Sequence, residues 1–152
     1  MKKPDVGQVF GILANVGVLV GILLLVYELS LNRQMMRAQT RHDLAQGIVS
    51  QITLLATDGE LAELIAKVNS GAGGVTEIER NRFQAHVNAR FRYWEDVHYQ
   101  FRLDLYDESE FVTQTLAWKE FLDSDPVQEI WRSTRYFYSP EFAELIDDLL
   151  SE

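Results

Sequence analysis

The feature that most constrains this chain is an uncharged, apolar segment near its N-terminus. The 22 residues from Val6 to Tyr27 contain no charged side chain. A helix of that length rises by about 33 Å, which is enough to cross a hydrocarbon core about 30 Å thick. We therefore expect a transmembrane helix here, and we expect the lipid bilayer to be one partner of the chain.

A cleaved signal peptide is the main alternative for this segment, because Lys2 and Lys3 resemble a positively charged n-region. The apolar run is longer than a typical h-region, however, and no convincing cleavage site precedes the polar residue Ser30. We therefore expect a retained, single-pass anchor. Three arginines follow the span and two lysines precede it, a bias that favours a cytoplasmic C-terminal domain.

Small residues recur along one face of the predicted span, at Gly7, Gly11, Ala14, Gly17 and Gly21. Inside lipid, helices associate through close backbone approach, which small residues permit. Asn15 adds an amide near mid-bilayer, where an unpaired polar group is costly. We expect this small-residue stripe and Asn15 to form a transmembrane helix contact, either with another copy or with another membrane protein. The alternatives are that glycine is simply common in membrane helices and that Asn15 bonds its own helix.

Charged residues follow the span. Glu28 lies at the far membrane edge, where it is a candidate pore-mouth or interface acid, although a hydrated interfacial glutamate is the simpler interpretation. Arg33, Arg37 and Arg41 recur every fourth residue and form a juxtamembrane basic ridge. This basic ridge either binds the acidic last third of the chain or remains a solvated face.

The charge of the chain is unevenly distributed. The formal net charge is −9, and the segment from Asp104 to Glu152 holds three basic and thirteen acidic residues. Nucleic-acid binding requires cations that neutralise phosphate, so we expect no nucleic-acid partner. The absence of cysteine excludes disulfides and thiolate chemistry.

Helix-start signals divide the rest of the chain. Each supplies a side-chain acceptor or a proline suited to the first turn, and they occur at Thr57–Glu60, Thr76–Glu79, Asp107–Glu110, Asp125-Pro126 and Ser139-Pro140. With the first helix they predict about six helices and no strands. The predicted fold is all-α, with one N-terminal transmembrane helix that continues into a small multi-helix bundle. We divide it into a tail (residues 1–5), a transmembrane helix (6–29), a helical extension (30–56) and a helical bundle domain (57–152).

The predicted core follows helical spacing. A central helix, from about Glu77 to Tyr106, places Val87, Phe91, Trp94, His98, Phe101 and Leu105 on one face. Matching apolar surface is expected from Phe111, Leu116, Trp118, Phe121, Leu122, Ile130, Trp131, Phe137, Phe142, Leu145, Ile146 and Leu149. The helical extension adds an apolar seam at Leu44, Ile48, Ile52 and Leu55.

Catalytic motifs are weak. His98 lies near Glu95 and Asp96 and is a candidate general base or metal ligand, but a core histidine bonded to a neighbour is the favoured interpretation. The sequence contains no HExxH, EF-hand, Walker or GxSxG motif. We therefore expect no catalytic residues, no cofactor and no metal. The arginines clustered on the central helix are expected to form salt bridges with neighbouring carboxylates.

The chain resembles a widespread group of small bacterial membrane proteins that have one N-terminal helix and a domain of unknown function. The resemblance rests on Tyr27-Glu-Leu29, Asn32, Arg37-Ala-Gln-Thr40, Glu60-Leu-Ala62, the segment from Phe83 to Gln100 with Arg90, Trp94, Glu95 and Tyr99, and Ser139-Pro-Glu-Phe142. It implies a bacterial inner-membrane protein with a helical domain, and it implies no activity.

Three function classes follow from these patterns. The leading one is a membrane-anchored, non-catalytic helical interaction protein that self-associates or acts as an accessory subunit of a membrane assembly. The alternative is a homo-oligomeric pore formed by a ring of transmembrane helices, with Gln8, Asn15 and Glu28 facing the lumen. The third is an enzyme that uses His98 with Glu95.

Overall fold

The computed structural model of the chain describes residues 6–71 and 73–151. Those residues form six α-helices and one 3-10 turn and contain no strand, so the predicted all-α fold is confirmed. In chain order the elements are α1 (Val6–Thr57), α2 (Gly59–Asn69), α3 (Glu77–Arg102), α4 (Glu108–Leu122), α5 (Asp125–Thr134), the 3-10 turn (Arg135–Phe137) and α6 (Pro140–Ser151).

The chain divides into two compact units, Met1–Gln39 and Thr40–Glu152, and α1 contributes residues to both. In the described part of the first unit the large apolar side chains are exposed, Phe10 and Leu23 by 69% and 67%. By length and composition, one helix of the described chain could cross a bilayer, and that helix is α1. Its most apolar window has a mean hydropathy of 2.7.

The second unit, which we call the bundle unit, has one hydrophobic core. The central helix α3 packs against α2, α4 and α5, and α4 also packs against α5 and α6. Aromatic rings fill the centre: Phe91 lies 4.9 Å from Trp131 and 5.5 Å from Trp94 between ring centroids. The fully buried large side chains are Trp118, Trp131, Phe91, Phe142, Leu122, Ile146, Val87, Val97 and Val127. Because each aromatic residue buries a large area, a unit of this size can sustain its own core.

The bundle unit begins earlier than the expected boundary at residue 57. Leu44 on α1 is only 4% exposed and belongs to the core. Tyr93 on α3 donates its hydroxyl to the Leu44 carbonyl at 2.7 Å. A Cβ built on Gly47 would come within 2.7 Å of the Tyr93 ring. The absence of a side chain at Gly47 therefore permits close contact between α1 and α3, and residues 40–56 belong to the bundle unit.

Local hydrogen bonds explain where the helices begin. The capping box at Thr76 and Glu79 is confirmed, since each side chain accepts from the other residue's backbone N–H. The cap expected at Thr57 lies instead at Asp58, which accepts from Leu61 N, and Thr57 ends α1.

The start of α4 lies where the sequence predicts it, whereas the start of α5 differs by one residue. Asp107 caps α4 through Ser109 N rather than through the third helical position. Ser124, not Asp125, is the N-cap of α5. The Ser124 side chain makes no capping hydrogen bond, and Pro126 takes the second helical position instead of the expected first one.

Several residues expected in the core are exposed. Leu116 and Phe137 are 64% and 61% exposed, and Ile52 and Leu55 on α1 are 59% and 38% exposed. The central helix also ends at Arg102 rather than near Tyr106, because Asp104 adopts a positive φ of 58°. Leu105 therefore lies beyond the helix whose face it was expected to extend. Helical spacing predicts these faces, but only packing decides which residues on them are covered.

Candidate functional site

The small-residue stripe lies on an uncovered face of α1. At about 100° per residue its five members fall within about 120° of the helix circumference. A Cβ added at Gly11, Gly17 or Gly21 would meet nothing within 4 Å. Ala14 and Asn15 are exposed as well. These five described positions are therefore exposed and can contact lipid or another helix.

Glu28 is also exposed, at the end of the apolar segment of α1. Large apolar side chains flank it, since Tyr27 and Leu29 are 62% and 58% exposed. The glutamate therefore marks one end of a continuous apolar surface. This position fits either a hydrated interfacial residue or a member of an oligomer interface, the two interpretations that the sequence leaves open.

The basic ridge is divided between the two units. Arg33 and Arg37 are exposed in the first unit. Arg41, in the bundle unit, forms a salt bridge of 2.7 Å with Glu110 at the start of α4. Glu110 belongs to the acidic last third of the chain, one of the two environments expected for the ridge. The Arg41 side chain is 72% exposed, so this ion pair contributes little stability.

His98 and Glu95 line one open cleft of about 470 Å³ beside the start of α6. Glu95 accepts a hydrogen bond from Ser139 N at 2.6 Å and another from Arg92 at 2.6 Å. Burial opposes ionisation of Glu95, but these two hydrogen bonds outweigh it and lower the pKa of the carboxyl. Glu95 is thus held as a carboxylate that ties α6 to α3.

The His98 imidazole packs between aromatic rings, with centroids 6.0 Å from Phe111 and 6.1 Å from Phe142. Burial lowers the pKa of His98, and the positive charge of Arg102 adds to this effect. These ring contacts fit the packing part of the favoured interpretation, but the half-buried His98 forms no hydrogen bond to a neighbour among the described residues. Within the described residues, no cluster of three or more histidine or carboxylate side chains is placed to hold a metal ion.

The arginines of α3 only partly form the salt bridges expected of them. Arg82 reaches back to α2, where it contacts Asp58 at 2.6 Å and Glu60 at 2.9 Å. Arg92 pairs with Glu95, as its spacing predicts. Arg90 lies over the ring of Phe121. The arginines named here therefore contact the start of α2, a carboxylate of α3 itself and a ring of α4, and the one-dimensional pattern does not distinguish these partners.

Two features of the bundle unit are not predicted by the sequence alone. The first is the close approach of Gly47 to Tyr93, for which a lone glycine in a long helical segment was the available signal. The second is a cleft that brings Gln51, Arg90 and Trp118 together from three helices. No sequence signal joins those three positions, because they lie far apart along the chain.

Comparison with known proteins assigns no family. No protein-family model matches the chain, and no curated protein or solved structure is significantly similar to it. The resemblance to small bacterial membrane proteins therefore stays a prediction that rests on the residues quoted for it.

Proposed function

We propose that this protein is a membrane-anchored, non-catalytic helical interaction protein. In this proposal α1 crosses a bacterial inner membrane once, the C-terminal domain lies in the cytoplasm, and the stripe contacts a second helix. That helix belongs either to another copy or to a larger assembly in which this chain is an accessory subunit. The observation that carries the proposal is the open space beside Gly11, Gly17 and Gly21 on an apolar helix.

The physical argument starts from the exposed apolar surface. Residues such as Leu13 and Leu24 are 61% and 59% exposed, and a continuous surface of this kind needs lipid or protein to cover it. Lipid covers large side chains well. It offers less to a face of glycines, where a second helix gains more contacts by approaching closely. The amide of Asn15 adds a polar group that a neighbouring helix can satisfy.

The bundle unit supports the non-catalytic part of the proposal. The best candidate base, His98, packs between rings, and the nearby Glu95 is engaged in two hydrogen bonds. Both groups have structural roles that account for their position.

Cysteine cross-linking in native membranes tests the contact, because the chain contains no cysteine of its own. A single cysteine at Gly21 lies on the stripe, and one at Leu23 lies about 160° away on the same helix. We expect the Gly21→Cys protein to form disulfide-linked dimers or adducts with a second protein under mild oxidation. The Leu23→Cys control remains uncross-linked. Equal cross-linking at both positions, or none at either, contradicts the proposed face.

A second experiment measures assembly directly. Gly17→Leu combined with Gly21→Leu adds bulk on the stripe and blocks close approach, so we expect a smaller mass in mild detergent or loss of the co-purifying partner. Val16→Leu combined with Leu23→Phe adds bulk on the opposite face and serves as the control. If the Gly17→Leu, Gly21→Leu protein keeps both its mass in detergent and its co-purifying partners, the proposal is contradicted.

Orientation is tested by labelling. Ser151 is exposed near the C-terminus, and Ser151→Cys places one thiol there. A membrane-impermeant maleimide is expected to leave this thiol unlabelled in intact spheroplasts and to label it after lysis. Labelling of intact spheroplasts contradicts the cytoplasmic orientation. It does not bear on the contact face, which the other two experiments test.

A further inference from the structure

An open cleft of about 390 Å³ lies between α1, α3 and α4 of the bundle unit. Aromatic side chains line much of it, including Trp94, Trp118 and Phe121, and the polar side chains of Gln51 and Arg90 reach it. Small-molecule sites in proteins commonly measure about 300–1,000 Å³ and combine apolar walls with a few convergent polar groups. The cleft has both properties.

Arg90 supplies the positive charge of the cleft, and none of the carboxylates that the structure describes forms an ion pair with it. Its guanidinium carbon lies 4.5 Å from the centroid of the Phe121 ring, a cation–π contact that leaves the N–H edges available. Burial lowers the pKa of Arg90, so the charge is held at some cost in desolvation. Arg82, on the same helix, contacts two carboxylates.

Two tryptophan side chains line the cleft. Trp94 and Trp118 are stacked with centroids 4.8 Å apart and are only 4% and 2% exposed. No acceptor among the described residues takes a hydrogen bond from either indole, whereas Trp131 donates to Asp147 at 2.8 Å. Among the described residues no fully buried side-chain nitrogen lacks a partner, so each of these indole nitrogens keeps some accessible surface. The cleft is the space that both rings line.

The remaining polar groups favour an anion over a cation. Gln51 contributes a carboxamide from α1. The carboxylate that lines the cleft, Glu120, belongs to an exposed side chain that is free to turn towards water. The cleft residues also include Arg90 and two tryptophans, whose guanidinium and indole N–H groups are donors without acceptor function. The excess of donors is the arrangement that binds a carboxylate.

We propose that this cleft binds a small organic anion that carries one carboxylate on an apolar, preferably aromatic, body. The carboxylate contacts the Arg90 guanidinium and an indole N–H, and the body packs against the stacked tryptophans and Phe121. The site lies wholly within the bundle unit. It is independent of the contact proposed for the stripe, so either proposal stands if the other fails.

Indole NMR tests the site in the intact chain, because the three tryptophans of the protein divide into two that line the cleft and one that does not. The full-length protein in detergent carries ¹⁵N-labelled tryptophan, with resonances assigned from single Trp→Phe variants. The probe is 3-phenylpropionate, and 3-phenylpropan-1-ol is its neutral counterpart. We expect 3-phenylpropionate to shift the N–H resonances of Trp94 and Trp118 saturably. The resonance of Trp131, whose N–H is bonded to Asp147, provides the internal control and remains in place.

Variants identify the charge that matters. Arg90→Gln is expected to weaken 3-phenylpropionate binding by about tenfold or more, because a charge-assisted hydrogen bond is lost. Arg80→Gln removes an exposed arginine from the same helix outside the cleft and leaves binding unchanged. Circular dichroism establishes that each variant keeps its helices. If Arg90→Gln does not fold, the titration of the unaltered chain decides alone.

Each outcome decides for or against the site. Saturable shifts of Trp94 and Trp118 with the acid but not with the alcohol support it. If no saturable shift appears at 3-phenylpropionate concentrations up to about 10 mM, any binding is weaker than millimolar, and the proposal is overturned. Equal shifts with acid and alcohol also overturn it, because they indicate apolar partitioning without recognition of the carboxylate.

Discussion

At the scale of single residues, Gly47 controls how closely α1 approaches α3. Its missing side chain leaves room for the Tyr93 ring, which is tethered through its hydroxyl to the Leu44 carbonyl. The tether matters because it prevents the ring from simply moving aside. A glycine that weakens an isolated helix is therefore favourable in this one, since the tertiary contact it permits outweighs its poor helix propensity.

We predict that Gly47→Ala destabilises the bundle unit by about 1 kcal/mol, the net of overpacking at about 1–3 kcal/mol and a helix-propensity gain of about 1 kcal/mol. Chemical denaturation followed by tryptophan fluorescence measures this change. Gly59→Ala is the control, since a Cβ at Gly59 meets nothing within 4 Å. Increased stability of Gly47→Ala would show that the Tyr93 ring moves freely.

The Glu79 carboxylate makes the start of α3 sensitive to acid. Its hydrogen bond from Thr76 N, aided by Lys67, lowers the pKa of Glu79 from 4.5 to about 2. A group whose pKa is depressed by folding stabilises the protein above its unfolded pKa and loses that contribution as the pH falls. The contribution of Glu79 should therefore disappear between about pH 4.5 and pH 2.

We predict that Glu79→Gln flattens the pH dependence of the unfolding midpoint across this acidic window. The neutral amide accepts a hydrogen bond at every pH but forms no ion pair with Lys67. Thermal unfolding at a series of pH values makes the measurement, and Glu77→Gln in the same helical turn is the control. An unchanged pH profile in Glu79→Gln contradicts the assignment.

At the scale of elements, α5 and α6 are joined through one carboxylate. Asp147 on α6 accepts the indole N–H of the buried Trp131 at 2.8 Å and also pairs with Arg135. Glu95 plays a comparable role between α3 and the start of α6, through Ser139 N. The short helix α6 is thus held by burial of its apolar side chains and by two carboxylates. Asp147 accepts the indole N–H of Trp131, and Glu95 accepts the backbone N–H of Ser139.

We predict that Asp147→Ala lowers the free energy of unfolding by about 1–3 kcal/mol, because the N–H of a buried tryptophan loses its acceptor. Asp147→Asn retains an acceptor and should recover part of the loss. Asp148→Ala, which removes an exposed carboxylate from the adjacent position, is expected to change little. Urea denaturation of the four proteins makes the comparison, and equal effects at positions 147 and 148 contradict the prediction.

At the scale of the whole molecule, the division at Thr40 separates two environments. Large apolar side chains are exposed in the described part of the first unit, whereas the buried hydrophobic core lies in the second. The second unit contains all three tryptophans and a complete aromatic core. A unit with its own core is expected to fold without the segment that precedes it.

We predict that a fragment of residues 40–152 folds cooperatively in water and that a fragment of residues 57–152 is markedly less stable. The shorter fragment lacks the buried Leu44, worth about 1.5–3 kcal/mol, and the acceptor for the Tyr93 hydroxyl, worth about 1 kcal/mol. Thermal unfolding followed by circular dichroism compares the two. Equal stability would move the boundary of the unit back to residue 57.

Sequence alone determined the apolar N-terminal helix and the approximate starts of the later helices, because hydropathy and capping depend on residues within about four positions of one another. Tertiary structure decided which apolar residues are covered. It buried Leu44 and left Leu116 exposed, it started the bundle unit at Thr40, and it placed Arg90 beside two tryptophans. These outcomes depend on distant segments meeting in space, and the packing of one helix against another is not encoded in either segment by itself.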